Sequence, residues 1–160
     1  MLVAISLFVI IATVSAQSLG SGLRSSKKTE SIGVVKENVD YAMSTMERIL
    51  RNAREFDCTA AQPRNRLDYI DEFGRDVYFS CLPSGTSNFI ASNSATVRLT
   101  SPNLTRVTNC ALVFNCTDGI GGLPDSVIIN INATHVSATA AEGATVTSTT
   151  RVVLRNYKGF

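Results

Sequence analysis

From Met1 to about Phe56 the sequence carries one helical pattern in two halves, and no domain built from a chain of this length could enclose it. At 1.5 Å per residue such a helix is about 84 Å long. Its first half, MLVAISLFVIIATVSA, holds no charge at all. In its second half Ile32, Val35, Val39, Ala42, Met46, Ile49 and Ala53 recur alternately three and four residues apart, which places them on one side of a helix. Met43 and Leu50 widen that stripe. Glu37, Asp40, Glu47, Arg48, Arg51 and Arg54 occupy the other faces, with Glu47 and Arg51 spaced for a favourable i,i+4 pair. The stripe predicts a helix docked on its own head domain, while the apolar half must be covered by lipid or by other subunits. Gly20 and Gly22 each cost a helix about 1 kcal/mol relative to alanine and mark where it loosens. Asp57-Cys58-Thr59 ends it. The chain thus divides at sequence level into an apolar transmembrane or filament-core segment, 1–22, an amphipathic continuation, 23–56, and a head, 57–160.

From Arg66 the period changes to two. Leu67 to Asp71 and Asp76 to Cys81 flank Asp71-Glu72-Phe73-Gly74, a hairpin signal in which glycine supplies positive φ. Ala95, Val97 and Leu99 alternate with Thr96, Arg98 and Thr100. Gly119, Gly121-Gly122 and Pro124 form a turn-rich break. Val127, Ile129, Ile131 and Ala133 line one face of a strand, and Val146, Ser148, Thr150, Val152 and Leu154 one face of another, predicting an antiparallel hairpin. A four- to six-stranded antiparallel sheet needs cover over its apolar face, and Ile32 to Ala53 are the one candidate. The expected class is α+β, with a long N-terminal helix whose first half is hydrophobic and whose second half packs on the sheet.

Four cysteines, Cys58, Cys81, Cys110 and Cys116, follow an export-type segment and contain no tight Cys-x-x-Cys pair of the kind zinc requires. They read as two disulfides, and local loop closure favours Cys58–Cys81 with Cys110–Cys116. Net charge is +2 and charged residues make up 18%, with no basic stripe interleaved with aromatics, so nucleic acid is not an expected partner. The glycines near 119–122 lack the lysine and helix of a phosphate loop. His135 is the only histidine and lies in a strand pattern rather than at a nucleophile elbow. Asp68, Asp71, Glu72 and Asp76 surround a turn without the spacing of a calcium loop, and read as solvated. Sequons stand at Asn103, Asn115 and Asn132. No catalytic, cofactor or metal residue is expected.

The apolar start MLVAISLFVIIATV, the stretch SIGVVKENVDYAMSTMERILRNA and the ending VTSTTRVVLRN together resemble the type IV pilin and pseudopilin family, minor pilins in particular. The Gly-aromatic and Glu of the family's processing motif are absent from this chain, and about five residues in front of Met1 would bring the apolar segment to roughly 21, a normal span. The resemblance implies a non-enzymatic subunit of a type IV pilus or type II secretion pseudopilus. It would be matured by prepilin peptidase with methylation, held single-pass in the bacterial inner membrane with its head outside, and handled by the inner-membrane assembly machinery. Other pilin or pseudopilin subunits would pack against Met1, Leu2, Val3, Ile5, Leu7, Phe8, Ile10, Ile11 and Val14.

A different reading uses the same first residues. Residues 1–16 span about 24 Å against a hydrocarbon core of about 30 Å. Val14-Ser15-Ala16 before Gln17 satisfies the small-residue rule for signal-peptide cleavage, and the apolar core has the length of a conventional secretory signal. On this alternative the chain is a conventionally secreted, disulfide-containing α+β binding module with signal peptide 1–16.

Overall fold

The computed structural model describes residues 2–58, 64–85, 87–93, 96–119, 123–137 and 144–155. Met1, Thr59, Ala95 and Gly121–Gly122, used in the sequence reading, lie outside these residues, as do the side chains of Leu2, Leu7 and Ile10. One helix, α1, runs Leu2–Arg51 without interruption. No proline falls inside it, and its hydroxyls are satisfied along its own backbone: Ser15 donates to the Ile11 carbonyl, Ser21 to Ser18 and Thr29 to Ser25. The helix stops at Arg51, short of Phe56. Its last turn tightens as Asn52 and Ala53 donate to the carbonyls of Ile49 and Leu50, and Arg54 N–H donates to Ile70, which draws the chain into a sheet. Arg48 and Arg51 in the last turn suit the negative end of the helix dipole.

The strands follow in chain order: β1 (Glu55–Asp57), β2 (Arg66–Ile70), β3 (Asp76–Ser84), β4 (Ser87–Ser92), β5 (Val97–Arg98), β6 (Thr105–Val107), β7 (Phe114–Thr117), β8 (Ser126–His135) and β9 (Val146–Val153), with a short 3-10 turn at Cys110–Leu112. They form two antiparallel sheets, a correction to the single sheet expected. The first has order β1-β2-β3-β4-β5; in the second β8 is central, with β9 along one edge and both β6 and β7 on the other. The break between β6 and β7 along β8 has a local cause. β6 pairs with residues 133–135 of β8 and β7 with 126–129, and between them the Asn109 side chain takes over the ladder, donating to the Asn130 carbonyl and accepting from Asn132 N–H.

One core joins helix and sheets. Val35, Val39, Ala42, Met43, Met46 and Leu50 of α1 meet Leu67, Tyr69, Phe79 and Ile90 of the first sheet and Val107, Val127, Ile129 and Ile131 of the second. Alternation in β8 is strict, with Val127, Ile129, Ile131 and Ala133 all fully buried. Across the helix–sheet seam Thr150 donates to the Glu47 carboxylate, and Ser101 N–H donates to Asn38. The architecture is therefore α+β, a long N-terminal helix packed through its second half on antiparallel sheet.

The inner-membrane, single-pass placement and the filament-subunit role built on it are overturned here. Among the described residues no helix is long and apolar enough to cross a membrane. The physical reason is length: the uninterrupted apolar run ends at Ala16, and Gln17, Ser18, Gly20, Ser21 and Arg24 follow within two turns of the same helix.

Candidate functional site

The expected cysteine pairing is also corrected. Cys58 is bonded to Cys116 and Cys81 to Cys110, with Cα–Cα distances of 5.2 and 5.4 Å. Both bridges are long-range, and the second is nested inside the loop closed by the first. Cys58 follows β1 and Cys116 lies in β7; Cys81 lies in β3 and Cys110 opens the 3-10 turn. Each bridge therefore ties the first sheet to the second. Hydrogen bonds accompany them at the same seam: Asn88 donates to the Val107 carbonyl and Phe114 N–H to Arg64. Local loop closure fails as a guide because the sheets bring distant segments side by side, and spacing along the chain does not record that.

The residues of the first helical half are displayed rather than packed. Val3 is 73% exposed and Phe8 74%, and Ile5, Val9, Ile11 and Val14 are likewise open. In the second half Val35, Val39, Ala42, Met46 and Ala53 are fully buried, while Ile32 and Ile49 at the edges of the stripe are half-buried. The transition falls at Glu30–Ile32, where the helix reaches the head.

A cleft of about 340 Å³ opens where the end of α1 meets the β2–β3 turn and the β4–β5 turn. Ile49, Val77 and Tyr69 are among its apolar lining, and Arg48, Asn52, Glu72, Phe73, Arg75 and Asn93 stand around them. The turn is built from sequence upward. Asp71 Oδ1 accepts from Phe73 N–H and Arg75 N–H, its other oxygen takes the Arg75 guanidinium, and Gly74 at φ 81° donates to the Asp71 carbonyl. A side chain at Gly74 would meet this left-handed backbone with strain. Phe73 is pushed outward, 71% exposed, with the Arg75 guanidinium 5.1 Å from its ring centre. Some desolvation acts to raise Asp71, but the bonds from Arg75 and Phe73 and the Arg75 charge outweigh it and hold the carboxyl below its usual range. Burial, with the Asp71 charge beside it, pushes the Tyr69 hydroxyl up to about 12 despite an opposing hydrogen bond with Ser92.

Two of the four acidic residues of this region are thus engaged with arginines: Asp68 with Arg66 and Asp71 with Arg75. Among the described residues no group of three or more His, Cys, Asp or Glu side chains is placed to hold a metal ion. His135 Nδ1 accepts from Ser137 N–H. The cleft was not singled out from sequence, although an aromatic between two acids and a glycine in a hairpin turn is its signal. Three comparisons give no relative: no family model, curated protein or solved structure matches the chain.

Proposed function

We propose that this chain is exported and acts there as a disulfide-crosslinked, non-enzymatic α+β binding module, with residues 1–16 as a signal segment cleaved after Ala16. The observation that carries the proposal is the pair of bridges, Cys58–Cys116 and Cys81–Cys110, each joining one sheet to the other. Such bonds form and persist in oxidising compartments outside the reducing cytosol. The burial pattern supports the cleavage: among the described side chains none up to Glu30 belongs to the core, so removal of residues 1–16 takes nothing from those that do. The cleft beside Phe73 is the surface offered to a partner, combining an exposed aromatic and the cationic Arg48 with an apolar lining. Kinship of fold with pilin heads belongs to the same proposal, supported by the long helix docked on antiparallel sheet; the membrane-inserted role does not come with it.

The test is expression of the full chain in a secreting host. The proposal expects protein in the medium or the oxidising compartment that begins at Gln17 and shows no free thiol after denaturation. Retention in the cell membrane with residues 1–16 still attached, or four titratable thiols, overturns it.

A further inference from the structure

We infer that Gln17 is a modification site: once residues 1–16 are removed, its α-amine closes on its own side-chain amide to give an N-terminal pyroglutamate. The inference rests on the cleavage after Ala16 proposed above. In the step, the α-amine nitrogen attacks the side-chain Cδ, a new C–N bond closes a five-membered lactam, and the Cδ–Nε2 bond breaks to release ammonia. Protons pass from the attacking amine to the departing one, so no oxidant or further reactant is consumed.

Three features of the molecule favour this ring closure. Gln17 is exposed on α1, and among the described residues nothing hydrogen-bonds its carboxamide, so the side chain is free to fold back on its own nitrogen. Among residues 17–30 every described side chain is exposed and none belongs to the core, leaving the new terminus accessible to solvent. The third is the basicity of an α-amine, which titrates near 8 in ordinary surroundings, so an appreciable neutral, nucleophilic fraction is present at physiological pH. The side chain of asparagine, one methylene shorter, would need a strained four-membered ring and cannot follow this path.

The experiment uses the full chain secreted through its own residues 1–16. Intact mass after reduction and N-terminal sequencing are read before and after treatment with pyroglutamyl aminopeptidase. The expected protein is Gln17–Phe160, lighter than its formula by one ammonia and blocked to sequencing. After the enzyme it should read from Ser18. The Gln17→Asn variant should be cleaved at the same bond and stay unblocked at full mass. A chain that begins at Gln17 but keeps a free amine after prolonged incubation at neutral pH overturns this inference and leaves the export reading standing. A chain that retains residues 1–16 overturns the export reading itself.

Discussion

Removing the Cys58–Cys116 bridge should cost this fold a large fraction of its stability. The bond closes a separation of 58 residues and Cys81–Cys110 one of 29. Loop-closure entropy gives about 4 kcal/mol for the first and about 3.5 kcal/mol for the second, taken singly. Because the loops are nested, the inner bond already shortens the outer loop, so together they contribute about 7 kcal/mol. Domains of this size are stable by about 5 to 15 kcal/mol in total, and loss of both bonds removes between about half and all of it. The outer bridge gives the cleaner measurement. Cys58 and Cys116 are half-buried, whereas Cys81 is 1% exposed and its replacement would add a packing loss. The assay is urea unfolding of the paired Cys58→Ala/Cys116→Ala variant. With a slope of about 2 kcal/mol per molar, the midpoint should fall by roughly 1.5 to 2 M, with the slope rising as the unfolded chain, freed of one constraint, exposes more surface. A shift below about 0.5 M would refute the reasoning, showing that the hydrogen bonds of Asn88 and Phe114 hold the sheets together without the bond. Peptide mapping of the unreduced protein checks the pairing itself.

Other outcomes follow from the same packing. Phe79→Ala, at a fully buried ring stacked 5.1 Å from Tyr69, should cost about 3 to 5 kcal/mol in chemical denaturation. Tyr69 titrates higher folded than unfolded, so its contribution is complete below the unfolded value near 10 and is lost as pH rises towards 12; alkaline melting of wild type against Tyr69→Phe should show the loss in wild type alone. Asp71 has the opposite sign, stabilising above the unfolded carboxyl value of about 4 and ceasing to do so as pH falls through its lowered folded value; its titration followed by NMR should give a midpoint below that of a free aspartate. Asn109→Ala leaves the Asn130 carbonyl and Asn132 N–H without their partner, and should speed hydrogen exchange at Asn132 while costing about 1 to 3 kcal/mol.

What the chain announces in one dimension is its periodicity. Val35, Val39, Ala42 and Met46 point to one side because a helix repeats every 3.6 residues, and Val127 to Ala133 do so because a strand repeats every two, so helix, hairpin and buried faces can be read without coordinates. The β2–β3 turn is equally local: Asp71 and Gly74 dictate it within five residues. The division into two sheets and the cysteine partners are not local. They depend on which segments far apart in the chain come side by side, as Cys58 after β1 meets Cys116 of β7, and even the break between β6 and β7 rests on Asn109, one side chain among many asparagines. The cleft depends on three segments far apart in sequence, and no spacing rule brings Arg48, Phe73 and Asn93 together. Overestimating the helix end had a plain cause too, since the apolar period continues through Ala53 and Phe56 after the backbone has left α1, with both residues buried from non-helical positions.

The two halves of α1 answer to different demands. From Val35 onward the buried apolar side chains share one core with the strands, and the Glu47 carboxylate and the Asn38 amide beside them accept across the seam from Thr150 and Ser101. Before Glu30 the helix rests on its own hydrogen bonds, and an isolated helix containing Gly20, Gly22 and a series of serines is a poor one in water. Burial of Val3, Phe8 and Ile11 therefore has to be supplied by a surface outside this chain or be avoided by removing them. Removal is consistent with the bonds the head makes: among the described residues every core side chain and both disulfides lie beyond Ala16, so the head that persists keeps the contacts that hold it together.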